Sequence, residues 1–154
     1  MNFTASEDVE VPIDVLFARV TDFPAFERSA LRRGAEISRT DSRAELGVGM
    51  AWDIKFMLRG KRRQVQSQLV RCDPPNTLHF RSKSDGMTSL FKVELVALSR
   101  TRTRLNLDLE LTPQSLSARL LVQSLKLARG NLRRRLAKRL AAFARETEEA
   151  HRAA

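Results

Sequence analysis

The sequence contains no tyrosine, one cysteine and only two histidines among its 154 residues. The single cysteine, Cys72, excludes an internal disulfide and fits a reducing compartment. His79 and His151 are far apart in the sequence, and with one cysteine they do not supply the ligand set of a zinc site. No Ser-His-Asp arrangement and no glycine-rich phosphate loop is recognisable. On these grounds we predict no metal, no cofactor and no catalytic residues.

Long apolar runs are also missing. No segment approaches the ~18 consecutive apolar residues that a membrane-spanning helix needs. The N-terminal stretch MNFTASEDVE is acidic and lacks the apolar core of a secretory signal. A chain of this length buries roughly 70% of its unfolded surface and does not need disulfide bonds to fold stably. We therefore expect one domain over residues 1–154 in a cytoplasmic protein of bacterial type.

Positive charge, in contrast, is abundant. The chain has 28 lysines and arginines against 18 acidic residues, which gives a formal net charge of +10. Most of the basic residues are arginines, whose guanidinium groups suit phosphate and carboxylate partners. A solvated basic surface, an anionic membrane surface and nucleic acid are all compatible with this excess.

The N-terminal third predicts a strand followed by two short helices. Apolar and polar residues alternate up to Val11, with Glu7 as the exception on the apolar side. Pro12 then begins a helix with an apolar stripe at Ile13, Leu16, Phe17 and Val20. Pro24 cannot continue that helix and instead begins a second one, which Gly34 ends. We expect this break to turn the chain through a corner, flanked by Phe23 and Phe26.

Between Ala35 and Thr112 the pattern changes to strict alternation, which predicts about six antiparallel strands with one solvated face. The apolar face carries Met50, Trp52, Ile54, Phe56, Val65, Ser67, Leu69, Leu78, Phe80, Ser82, Met87, Ser89, Phe91, Val93, Leu95, Leu105, Leu107, Leu109 and Leu111. The polar face carries Asp53, Lys55, His79, Arg81, Lys92, Glu94, Asp108 and Glu110. We expect the four acids there to pair with the cations across the strands.

The C-terminal segment predicts one long helix that begins at Thr112–Pro113 and runs to Glu149. Its stripe comprises Leu121, Leu125, Ala128, Leu132, Leu136, Leu140 and Phe143, with at most a kink at Gly130. Such a helix would be ~55 Å long. Because a domain of this size is only ~35–40 Å across, we expect the residues after about 144 to project or fray.

The sequence resembles the START-like, or SRPBCC, superfamily, which includes polyketide cyclases, coenzyme Q-binding proteins and birch-pollen-type allergens. The resemblance rests on Val11-Pro12, the corner from Asp22 to Glu27, Trp52, the Asp73-Pro74-Pro75 turn and the C-terminal helix. It implies an α+β helix-grip fold: a curved antiparallel sheet of six to seven strands wrapped around a long C-terminal helix, with two short helices after the first strand. It specifies the fold well and the function poorly.

A cavity between the sheet and the C-terminal helix would be apolar, with few polar groups, as small-molecule sites are. The predicted ligand-binding residues are Phe23, Phe26, Trp52, Ile54, Phe56, Ser67, Leu69, Phe80, Ser82, Ser89, Phe91, Leu121 and Leu125. By resemblance the ligand would be a lipid, a quinone or a polyketide-like aromatic. A filled core without a pocket is the alternative. A cyclase or dehydratase would need an ionisable group in the cavity, for which Glu7 is the candidate, although we expect a strand irregularity to let Glu7 reach solvent.

The long helix also carries a cluster of basic residues around its leucines. They are Lys126, Arg129, Arg133, Arg134, Arg135, Lys138, Arg139 and Arg145. This surface could be simply solvated or could lie on anionic lipid. Nucleic acid is the weakest option, because RNA-binding surfaces usually expose aromatic rings and the single tryptophan is predicted to face inward. The sequence does not indicate the oligomeric state.

Overall fold

The computed structural model describes residues 1–154 and contains seven strands and four helices. In chain order they are β1 (Asn2–Val9), α1 (Ile13–Val20), α2 (Phe23–Arg32), β2 (Glu36–Arg39), β3 (Ala51–Leu58), β4 (Lys61–Asp73), β5 (Thr77–Ser84), β6 (Met87–Ser99), β7 (Arg102–Pro113), α3 (Leu116–Leu127) and α4 (Arg129–Ala153). The predicted α+β class and the order of elements are confirmed.

The strands form one antiparallel sheet in the order β1-β7-β6-β5-β4-β3-β2. Strands β2 to β7 pair as sequential neighbours, whereas β1 joins the opposite edge beside β7. Helices α1 and α2 therefore carry the chain from one edge of the sheet to the other. This crossover explains why a helix pair, rather than a tight turn, follows the first strand.

The corner between α1 and α2 forms where Pro24 predicts it. Helix α1 ends at Val20, and the Thr21 hydroxyl donates a hydrogen bond to the Phe17 carbonyl at 2.7 Å. Asp22 caps α2, because its carboxylate accepts a hydrogen bond from the Ala25 amide at 3.3 Å. At the other end of α2, Gly34 adopts φ +86°, a conformation that glycine reaches without strain.

Strand β7 is longer than its sequence predicts, and the helix after it starts later. Pro113 still pairs with Met87, so Thr112 and Pro113 are strand residues rather than the start of the helix. Ser115 caps α3 instead, accepting the Ala118 amide at 3.1 Å. The Ser115 side chain packs so closely on Gly86 that a Cβ at residue 86 would clash with it. The sheet pairing thus overrides the local proline signal.

The C-terminal helix is interrupted at Ala128, two residues before the predicted kink at Gly130. Ala128 has φ −93° and ψ 8°, and it ends α3 and precedes α4. None of the four helices combines the length and apolarity needed to cross a bilayer.

The end of α4 packs against the domain, in contrast to the predicted projection after residue 144. Thr147 is 1% exposed and accepts a hydrogen bond from Arg19 of α1 at 3.4 Å. The Arg19 guanidinium also lies 5.5 Å from the centre of the Phe143 ring. The Glu148 carboxylate accepts the Glu10 amide at 2.8 Å. The predicted projection assumed one straight helix, but the helix is broken at Ala128. The chain is continuously exposed only from Glu149 onward.

Candidate functional site

Two separate apolar clusters hold the helices on the sheet. The larger one joins α1 and the second half of α4 to the sheet, and it comprises Val9, Val11, Leu16, Phe17, Met50, Trp52, Leu69, Leu78, Val93, Leu95, Leu105, Leu140 and Ala144. The smaller one joins α3 to the far ends of β6 and β7 through Met87, Ala118 and Val122. The three residues under α3 are therefore separate from the core that holds α1 and the second half of α4.

The sheet surface between the two clusters is half-buried on β5, β6 and β7 and buried on β3 and β4. One row of opposed residues crosses it from β3 to β7: Trp52, Ser67, Ser82, Ser89 and Leu111. The adjacent row contains Leu69, Phe80, Phe91 and Leu109. Several of these side chains remain half-buried although they lie on the helix-facing side. We call this surface the groove and define its floor as Trp52, Ser67, Phe80, Ser82, Ser89, Phe91 and Leu109.

The total surface area agrees with an incompletely covered sheet. The chain exposes 9600 Å². A compact monomer of 17.5 kDa is expected to expose roughly 7,900 Å². Twenty of the 154 residues are buried.

Phe23 and the three aromatic rings of the floor form one cluster beside the corner. Phe23, from the start of α2, contacts Trp52 edge-on at 4.9 Å between ring centres and Phe80 at 6.3 Å. Trp52 and Phe80 are 5.7 Å apart, and Phe80 lies 6.2 Å from Phe91. The Pro24 break therefore places the Phe23 ring over the floor. Phe26 instead stacks on Phe143 of α4 at 6.0 Å and is 39% exposed.

Three serines supply the polar part of the floor. The Ser82 hydroxyl donates a hydrogen bond to Ser67 at 3.0 Å, and Ser89 stands opposite Ser82 on β6. Ser67 is buried, whereas Ser82 and Ser89 are half-buried. Since each hydroxyl offers one donor and two acceptor positions, this row retains hydrogen-bonding capacity.

Charged groups lie at the β2 end of the groove, and sequence reasoning missed them. The Arg39 guanidinium is 5.7 Å from the centre of the Trp52 ring, and its Nε donates to Asp41 at 2.7 Å. This hydrogen bond raises the pKa of Arg39, and the negative charges of Asp41 and of Glu27 on α2 add to the effect. One carboxylate oxygen of Glu27 is buried without a hydrogen-bond partner.

The Asp41 carboxylate organises the turn beside this end. It accepts hydrogen bonds from Arg39 and from the amides of Arg43 and Ala51, both at 2.8 Å. These bonds, led by the one from Arg39, hold the pKa of Asp41 far below its ordinary value. Asp41 therefore stays ionised and fixes the position of Arg39.

The remaining predicted site residues lie at the margins. Ile54 packs against the larger cluster, Leu69 is completely buried within it, and Phe56 is half-buried opposite Arg63. Leu121 packs against the smaller cluster on α3, and Leu125 is buried on the same helix.

Glu7 does not belong to the groove. The pairing of β1 with β7 is continuous, so the expected strand irregularity is absent, and Glu7 stands opposite Leu105. It lines a shallow depression with Ser6, Asp8, Arg104 and Asn106, none of which is apolar.

The acids of the outer face do not form the ion pairs that we expected. Asp53 accepts a hydrogen bond from Gln64 at 2.9 Å, Asp108 accepts one from Asn2 at 3.4 Å, and Glu94 lies 3.9 Å from His79. No ion pair forms with Lys55, Arg81 or Lys92. Burial, followed by the charges of Arg71 and Lys92, lowers the pKa of His79. No group of three or more His, Cys, Asp and Glu side chains could hold a metal ion.

No protein-family model matches the chain, and no curated protein matches it in sequence. Solved structures match it closely in shape. The Zhui aromatase/cyclase from Streptomyces sp. R1128 has 13% identity and a TM-score of 0.70 over 96% of this chain and 93% of its own. Norcoclaurine synthase from Thalictrum flavum has 12% identity and a TM-score of 0.68 over 98% of this chain and 96% of its own.

A third solved structure, the protein TTHA0849 from Thermus thermophilus, has 14% identity and a TM-score of 0.71 over 97% of this chain and 99% of its own. At such low identity the likeness shows the fold and not the activity. The architecture, the corner between α1 and α2 and these matches establish that the chain has the helix-grip fold of START-like proteins.

Proposed function

We propose that the chain binds an apolar or amphipathic small molecule, such as a lipid, a quinone or a polyketide-like aromatic, in the groove. The observation that supports this most strongly is the row of half-buried side chains, including Phe80 and Phe91, on the helix-facing side of the sheet between two separate core clusters. An apolar surface that the protein's own helices leave uncovered gains from being covered by a ligand. Each Å² of apolar area removed from water contributes roughly 25 cal/mol before association costs.

The groove has one apolar wall and two polar features that would orient an amphipathic ligand. The half-buried rings of Phe23, Phe80 and Phe91 would contact an aromatic or aliphatic body. The serine row would accept a hydroxyl or carbonyl along the floor. Arg39 and the unpartnered Glu27 oxygen would hold a polar end at the β2 side.

The unpaired half-buried Cys72 fits a reducing cytoplasm.

Native mass spectrometry of delipidated protein incubated with a bacterial lipid extract tests the proposal. We expect one bound small molecule per chain and a higher melting temperature in the same mixture. A protein that retains nothing, and whose melting temperature no apolar compound raises, would favour the alternative of a filled core.

A polyketide-cyclase-like activity at the same groove is the second candidate. The observations that favour it are the likeness in fold to the Zhui aromatase/cyclase and the buried Glu27 oxygen that has no hydrogen-bond partner. Incubation with linear polyketide thioesters, followed by mass spectrometry, tests for cyclised products. We expect Glu27→Gln to abolish product formation and to weaken ligand retention only modestly, because the apolar floor is unchanged. Retention without product in the unaltered protein would leave binding as the function.

A further inference from the structure

Helix α3 exposes a row of leucines that no part of the chain covers. Leu116, Leu120 and Leu127 are 74%, 63% and 92% exposed. Their spacing of four and seven residues places them on one face of the helix. The opposite face is already used, since Ala118, Val122 and Leu125 are buried. We call the three exposed residues the leucine stripe.

The leucine stripe lies next to the most basic segment of the chain. From Thr112 to Arg145 there is no acidic residue, whereas nine lysines and arginines occur there, so this segment carries almost the entire net charge. Arg119 and Lys126 are exposed on α3 itself. Immediately after the break at Ala128, α4 adds exposed cations at Arg133, Arg134, Arg135, Lys138 and Arg139.

We propose that α3 and the first half of α4 dock on an anionic lipid bilayer, with the leucine stripe inserted at the boundary between headgroups and acyl chains. Aliphatic side chains beside a dense cluster of cations match that boundary in both polarity and charge. RNA-binding surfaces usually stack aromatic side chains on the bases, and the leucine stripe has no aromatic residue. A second copy would bring two strongly cationic surfaces together, which electrostatic repulsion opposes.

This docking surface stands without the proposed ligand site but would serve it. Helix α3 is the same element that carries Leu121 and Leu125 at the margin of the groove. Docking through α3 would place the groove beside the acyl chains, from which an apolar ligand could enter.

Sedimentation with vesicles tests the proposal, using phosphatidylcholine alone and phosphatidylcholine mixed with phosphatidylglycerol. We expect binding only to the anionic vesicles, weakening as salt is raised. The double variant Leu120→Gln/Leu127→Gln should bind about tenfold more weakly, because burial of a leucine contributes strongly to partitioning. Glutamine and leucine have similar helix propensities, so α3 should persist. Arg133→Gln/Arg134→Gln should lose about fivefold for each charge removed.

Leu31→Gln is the matched control, because Leu31 is 65% exposed on α2 beside Arg32 and Arg33. It should bind vesicles like the unaltered protein. Absence of vesicle binding, an equal loss in Leu31→Gln, or no loss in the leucine double variant would overturn the proposal. So would tighter binding to RNA than to vesicles at equal salt, or dimerisation that depends on the stripe. Ligand retention measured without vesicles on the same variants separates this result from the proposed ligand function.

Discussion

Filling the groove from its floor should stabilise the empty protein, and Ser89 is the position at which to do so. Ser89 is half-buried on the helix-facing side of β6, opposite Ser82 and Leu111. It lies between the two core clusters. A larger apolar side chain there enters the gap if the gap exists, and collides with its neighbours if it does not.

The sign of the stability change decides between these cases. Leucine carries three more carbon atoms than alanine, and each buried methylene contributes about 0.8 kcal/mol. Because the site is half-buried, we expect Ser89→Leu to be more stable than Ser89→Ala by about 1 kcal/mol. In a filled core the same change would overpack the site and cost about 1–3 kcal/mol.

Urea unfolding of both variants, followed by circular dichroism, measures this difference. Thr88→Leu is the control for strand propensity, since Thr88 lies on the outer face of the same strand, opposite Lys83 and Thr112. It should change stability by less than about 0.5 kcal/mol. Ser89→Leu should also retain less ligand than Ser89→Ala. A destabilised Ser89→Leu, or one that retains ligand fully, would refute the reasoning.

Three further changes probe the surroundings of the groove. Phe23→Ala removes the ring that covers Trp52 and should lower the free energy of unfolding by about 2–3 kcal/mol, measured by urea unfolding. It should also admit larger ligands, detected by native mass spectrometry. Unchanged stability would contradict the packing of Phe23 on Trp52. Because the pKa of His79 is lowered in the folded protein, the unfolded chain binds a proton more readily, and stability should fall as the pH drops below 6.5. Urea unfolding above and below pH 6.5 should show a weaker pH dependence in His79→Gln. An equal pH dependence in both proteins would contradict this role of His79. Asp41→Asn should lower the urea midpoint at neutral pH, and this deficit should shrink as the pH falls below 3.8, where the unfolded carboxyl protonates first; a deficit that does not depend on pH would argue against the role of the Asp41 charge.

The sheet and the corner follow from the sequence because their signals are local. Alternation sorts each strand into two faces, and a proline such as Pro24 excludes a continuous helix whatever surrounds it. The predicted end of β7 was wrong because it depends on a long-range contact. Pro113 is a helix-start signal, but its pairing with Met87 keeps it in the strand, and no local pattern reveals that pairing. The packing of Thr147 against Arg19 is likewise long-range.

The floor of the candidate site, with its apolar residues and its serines, was predictable from the sequence, whereas the charged end was not. The floor residues Trp52, Phe80 and Phe91 share a face by period two, so their proximity follows from strand pairing. Arg39 and Glu27 were missed because β2 is only four residues long and the single acidic residue of α2 gives no local sign of its surroundings. Their proximity depends on how α2 packs against β2, which is a property of the tertiary fold. The division of the core into two clusters is equally invisible in sequence.

Quenching of Trp52 fluorescence tests the location of the ligand most directly. The chain has one tryptophan and no tyrosine, so its emission reports the groove floor alone. Stearate and dibromostearate differ only in bromine, which quenches tryptophan on near contact. We predict saturable quenching by the brominated acid, little change with stearate, and loss of quenching in Ser89→Leu. Equal binding of both acids with unchanged Trp52 emission would place the ligand elsewhere and contradict the account.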